Sequence, residues 1–129
     1  MNPLTASPMV VAPRSYVARG PGITVTVSRT ADGVAVRVGG EIDLHNAVHL
    51  QQPLDAAIAS LKRPGVIVLD LSDVAFCDCS GLNALLRTRF HARCRGHRLN
   101  LAAASRPVGR LLDLTGTTHL FRSVHGRAV

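Results

Sequence analysis

Aromatic residues are almost missing from this chain, which has no Trp, one Tyr and three Phe. That scarcity removes the stacking platform on which proteins hold single-stranded nucleic acid. Lysine is down to Lys62, so fourteen of the fifteen basic residues are arginine. Eight acidic residues leave a net charge of +7, a balance that invites a nucleic-acid reading. The arginines are scattered along the chain instead of forming one block. A basic surface of this kind steers an acidic protein partner equally well, and no direct nucleic-acid contact is expected.

There is no apolar run of membrane-spanning length. The first residues lack a charged segment followed by an apolar stretch, so no signal peptide and no membrane association are expected. The cytoplasm is the expected location. Three cysteines, an odd number, give no disulfide framework. Cys77 and Cys79 are one residue apart, too close for the usual zinc pair, and no second pair follows. Free thiols in a reducing compartment are expected, with no metal and no cofactor.

Catalytic signatures are missing too. No Gly-x4-Gly-Lys-Ser/Thr loop and no Gly-x-Ser-x-Gly elbow occur. His45 and His49 have the i, i+4 spacing of a metal pair, but no glutamate follows His45 as in H-E-x-x-H, and they read as surface histidines. Cys79 at a helix start could be a nucleophile, yet nothing marks a partner histidine. The chain is not expected to be an enzyme.

What is there centres on Val66–Leu82, VIVLDLSDVAFCDCSGL. Val66–Leu71 is short, apolar and rich in β-branched residues, which reads as a buried strand. Ser72–Phe76 is a polar step with one apolar return. Leu82, Leu85 and Leu86 then open a helical stripe. Strand, loop and helix meet at Asp78–Gly81, where Asp or Ser can cap the helix and an anion would be welcome.

Leu69-Asp70-Leu71-Ser72-x-Val74-x-Phe76-x-Asp78-Cys79-Ser80-Gly81-Leu82 resembles the signature of STAS domains, in particular the bacterial anti-sigma factor antagonists. Gly40-Glu41-Ile42-Asp43 resembles a second element of that family, Gly-Glu-hydrophobic-Asp. The resemblance runs from about Ile23 to Val124. It implies a non-enzymatic module that binds an anti-sigma factor of the serine kinase type and so frees a sigma factor. It also implies a partner surface at Asp43, Asp78, Cys79, Ser80, Gly81, Leu82 and Asn83. In the family the loop usually reads Asp-Ser-Ser-Gly-Leu, and phosphorylation of its first serine abolishes binding. That position is Cys79 here and Ser80 matches the second serine, which leaves three readings open: an antagonist without the phospho-switch, phosphorylation at Ser80 instead, or a redox-sensitive Cys79 in place of the phosphoserine. A homo-dimer is a further association open to the chain. The alternative is a STAS scaffold within a larger signalling assembly.

At 129 residues the chain suits one domain. Residues 1–21 hold four prolines and read as a disordered or loosely attached arm. Residues 22–125 are expected to be the STAS-like domain and 126–129 a tail. Ile23–Val27 and Val34–Val38 alternate as a hairpin around Ala31-Asp32-Gly33. Asp43, His45 or Asn46 could cap the next helix. Pro53 interrupts its stripe: either the helix kinks there or its regular part begins there. The resemblance favours one bent helix. A helix over Ser80–Arg95 follows, with Arg89 and Arg93 near its apolar face, either snorkelling or touching a partner. A strand over Leu99–Ala104, a short helix behind Ser105 and a last strand over Leu120–Val124 complete the pattern. Strands alternating with helices imply a mixed, mostly parallel α/β sheet with an antiparallel hairpin at one edge.

Overall fold

The computed structural model describes residues 15–121. Five strands form one sheet in chain order: β1 (Ser15–Gly20), β2 (Ile23–Thr30), β3 (Gly33–Ile42), β4 (Val66–Cys77) and β5 (Arg98–Ala104). Three α-helices, α1 (Ala47–Ser60), α2 (Cys79–Cys94) and α3 (Arg106–Leu114), alternate with the later strands. A 3-10 turn spans Thr118–Phe121. β1–β2 and β2–β3 pair antiparallel, and β3–β4 and β4–β5 pair parallel. This is the single α/β domain with a mixed sheet that the alternation predicts.

The β2–β3 turn lies where the sequence puts it, with Thr30 opposite Gly33. Three boundaries differ from expectation. Ser15–Gly20, read as part of a loose arm, is strand β1 at the sheet edge, with Ser15 opposite Ser28 and Gly20 opposite Ile23. Its side chains are mostly exposed, so it carries no apolar pattern, and its backbone bonds to β2 hold it. Residues 1–14 lie outside the described residues. The strand expected over Leu120–Val124 begins instead as the 3-10 turn, with Phe121 buried; residues 122–129 are outside the described set. β4 runs to Cys77, well beyond the expected Leu71.

That extension has a simple cause. β5 pairs with β4 only up to Leu71, opposite Ala104. Beyond Leu71, β4 still pairs with β3, through register shifts between Arg37 and Gly39 and between Gly40 and Glu41. The shifts break the period of two, so buried positions run Ile67, Leu69, Leu71, then Val74 and Cys77. A step of three looks like a loop in the sequence and is a bulged strand in the fold.

One face of the sheet carries the core: Val25, Val36, Val38, Ile42, Leu69, Leu71 and Leu101. α1 packs on β1–β3 and α2 on β4 and β5, and the two helices pack together. Leu50, Leu54 and Ile58 form the buried stripe of α1 and are fully covered. Each such side chain contributes about 1.5–3 kcal/mol of burial. Pro53 sits inside α1 and is itself buried. The helix is therefore single, and it gives up the hydrogen bond that the carbonyl of His49 would accept. The opposite sheet face is polar or small, with Thr26, Ser28, Ala35, Arg37, Val68, Asp70 and Ala102 lining a shallow depression. Arg37 and Asp70 meet there across β3 and β4 at 3.5 Å. Arg89 is explained within the chain: its Nε donates to the Leu120 carbonyl at 2.9 Å, fastening α2 to the 3-10 turn.

Candidate functional site

β3 and β4 are parallel neighbours, so both release the chain at the same end of the sheet. Ile42 and Cys77 are paired in register, and the Asp78 N–H donates to the Ile42 carbonyl at 3.1 Å. The β3–α1 and β4–α2 loops therefore lie side by side at the carboxyl ends of strands, where binding sites of open α/β sheets collect.

In the β4–α2 loop Asp78 is the helix cap. Its Oδ1 accepts the N–H of Ser80 at 2.8 Å and of Gly81 at 3.3 Å. A first turn has donors without intrahelical partners, and a carboxylate both satisfies them and complements the positive end of the helix. Cys79 stands exposed at the first helical position, and Ser80 is half-buried. Gly81 is required by packing: a Cβ there would lie 2.5 Å from Cys77 Sγ and 2.7 Å from Ile42 Cγ2. That absent methyl lets α2 close onto the ends of β3 and β4.

The two neighbouring thiols have opposite settings. Burial pushes Cys77 up to about 11, with the nearby charges of Asp78 and Cys79 adding to the effect. Cys77 is therefore a neutral packing group, while Cys79 faces solvent.

In the β3–α1 loop Asp43 Oδ1 accepts the N–H groups of His45 at 2.9 Å and Asn46 at 3.2 Å. Asn46 holds the cap position of α1 without capping it through its side chain. Its amide instead donates to the carbonyls of Pro21 and Glu41, both at 2.7 Å, and its Oδ1 accepts the Asp43 N–H at 2.9 Å. Asn46 is only 3% exposed, so this polar knot ties the β1–β2 turn, β3 and the start of α1 together. His45 is exposed and His49 packs against Gly20.

Of the residues expected at a partner surface, Asp43 and Asp78 share this end of the sheet, and Cys79, Ser80 and Asn83 present surface beside them. Gly81 and Leu82 are buried and set the position of α2. Sequence reasoning offered Asn46 only as a possible cap, without its buried network, and missed the exposed apolar side chains Leu44 at 76%, Val48 at 52% and Phe76 at 49%. The only available signal was negative: these apolar residues fall off the buried stripes of α1 and β4. Apolar side chains standing among carboxylates suit a protein contact. Among the described residues no histidine hydrogen-bonds to Cys79, and no three metal-ligating side chains gather.

Comparison with known proteins agrees with the fold. A family model described as the STAS domain matches residues 24–126. The anti-sigma-F factor antagonist RsfB of Mycobacterium tuberculosis (strain CDC 1551 / Oshkosh) is 36% identical over 112 residues, covering 80% of this chain and 84% of that protein. The crystal structure of an anti-sigma factor antagonist from Mycobacterium paratuberculosis is similar at 31% identity and a TM-score of 0.68, over 77% of this chain and 82% of that one. The unphosphorylated anti-sigma factor antagonist SpoIIAA shares the fold at 20% identity and a TM-score of 0.62, over 77% of this chain and 85% of that one.

Proposed function

Because this chain belongs to the STAS domain family, we propose that it is an anti-sigma factor antagonist: a non-enzymatic protein that binds an anti-sigma factor of the serine kinase type and thereby releases a sigma factor for transcription. The observation that carries the reading is the β4–α2 junction. A carboxylate-capped helix start presents Cys79 and Asn83 to solvent, and Leu44 of the β3–α1 loop, Val48 of the first turn of α1 and Phe76 near the end of β4 are exposed as well. The named relatives support the antagonist role. The protein works in the cytoplasm, where sigma factors act.

Cys79 stands where the family resemblance puts the phosphoserine. A thiol has nearly the shape of a hydroxyl but is no substrate for a serine kinase. We infer that this antagonist escapes phosphorylation. Ser80 is a poor replacement because it is half-buried. A phosphate added at this junction would bring nearly two negative charges beside Asp78.

The test uses the anti-sigma protein captured from native lysate. Wild type incubated with it and ATP should keep its intact mass, and Cys79→Ser should gain one phosphate and lose affinity for the captured protein. A phosphate on wild type, mapped to Ser80, would overturn the unregulated reading and leave the antagonist reading standing. No capture of an anti-sigma factor, with the chain folded, would overturn the antagonist reading and favour the scaffold role.

A further inference from the structure

α2 turns one face to solvent along its whole length. Its exposed positions Cys79, Asn83, Arg87, Phe90 and Cys94 fall within about 80° of one another and run about 22 Å along the helix. No other residue of α2 falls in that arc. The line starts at the Asp78 cap, so it continues the junction from which Cys79 is displayed.

Phe90 is the residue on this line that the fold does not explain. It is 69% exposed, whereas Phe121 is buried. It belongs neither to the core nor to the half-buried apolar residues packed against the core. Phenylalanine is also a mediocre helix former, so helix propensity does not account for it. One turn earlier stands Arg87, exposed as well. Residues at i and i+3 are neighbours on a helix surface. The ion pairs among the described residues, Arg37–Asp70 and His91–Asp55, leave Arg87 out. α2 itself contains no acidic residue. Asp55 of α1 reaches α2 at His91 and is held by Gln51 as well. Aromatic and arginine side chains are the groups enriched where protein partners meet.

The sign of the charge changes along the line. Near its start lie Glu41, exposed, and Asp43 and Asp78, half-buried, at the ends of β3 and β4. Toward its far end come Arg87, Arg93 and Arg95, all exposed. A surface with two signs accepts a complementary partner in one orientation and opposes the reverse one.

We propose that the partner-binding face extends from the Cys79 junction along α2 to Phe90, and that the anti-sigma factor meets it with an apolar pocket for Phe90 bordered by carboxylates for Arg87. The proposal rests on the antagonist reading and adds the orientation of docking. The acidic side of the partner lies over the second half of α2, and its basic side lies over Glu41, Asp43 and Asp78.

The test measures association and dissociation of the full-length protein with the anti-sigma protein captured from native lysate and then purified, at low and high salt. Phe90→Ala should weaken binding about tenfold or more, mainly through faster dissociation. Arg87→Glu should slow association, and the loss should shrink as salt rises. Arg110→Glu makes the same charge change at an exposed position of α3, and its affinity should stay within about twofold of wild type. All three variants should unfold at the urea concentration of wild type. Wild-type affinity in Phe90→Ala, equal losses in Arg87→Glu and Arg110→Glu, or earlier unfolding of Phe90→Ala would overturn the extended face and leave the antagonist reading standing. A wild-type chain that captures no anti-sigma factor would overturn both.

Discussion

The two helix starts at the carboxyl end of the sheet make opposite use of the same position. Each follows a strand of one parallel pair, and each places an Asp in the loop. Before α1 Asp43 accepts loop N–H groups much as Asp78 does, but the residue at the cap position turns inward: Asn46 is buried and spends its three hydrogen bonds on Pro21, Glu41 and Asp43. Before α2 the polar group caps the helix from its edge, and the next residue, Cys79, is left facing solvent. One junction fixes the geometry, and the other displays a side chain on it. A presenting surface needs a rigid neighbour, since a small shift of a loop would misplace the residues a partner reads.

The sharpest way to break this contrast is at Asn46. Asn46→Ala strips two carbonyls and one N–H of partners in a buried place. Urea unfolding should show a loss of about 3 kcal/mol. A loss as small as that of a surface change would mean that water enters the knot and that the α1 junction is not the rigid one. Gly81→Ala comes next. The new methyl meets Cys77 and Ile42, and overpacking of that sort costs about 1–3 kcal/mol. Adding Cys77→Ala opens space, so the double variant should be less destabilised than the sum of the two single changes; strict additivity would show that α2 does not lean on Cys77.

Asp78→Ala should cost less, about 1 kcal/mol, the worth of a helix cap. Its larger effect should be on the partner. Asp78→Asn keeps an oxygen for the Ser80 and Gly81 N–H groups and removes the charge. If Asn restores both stability and affinity, the residue acts by shaping the helix start; if it restores stability alone, the carboxylate itself is read by the anti-sigma factor.

Much of this contrast was legible in the sequence. Asp78 and Ser105 sit just before apolar stripes and cap α2 and α3. The strands Ile23–Thr30 and Gly33–Ile42 follow their alternation. What escaped is what local pattern does not encode. β1 lacks an apolar period because its hold on the sheet is backbone pairing. The second half of β4 is bulged, and its period of two is lost with the bulge. Asn46 reads as an ordinary cap, because its partners at Pro21 and Glu41 become neighbours only when β2 and β3 pair. Leu44 and Phe76 differ from core residues in the sequence only by falling off the apolar stripes, a weak mark until burial is known.

The smallest effect on stability should come from Cys79. The side chain is exposed and makes no packing contact of the kind Cys77 makes, so Cys79→Ser should shift unfolding by less than about 0.5 kcal/mol. Reactivity separates the two thiols where stability does not. In the native protein an alkylating reagent should modify Cys79 and Cys94, both exposed, and leave Cys77 untouched until urea is added. The pH dependence has a definite sign. The folded state holds the Cys77 proton up to about 11, against 9.0 for an ordinary thiol. Between those values the unfolded chain has lost a proton that the folded chain keeps, so stability is full below pH 9 and falls as pH rises toward 11. Cys77→Ala should flatten that fall and Cys79→Ser should leave it in place. A fall that instead disappears with Cys79→Ser would assign the titration to the exposed thiol and reverse the contrast between the two.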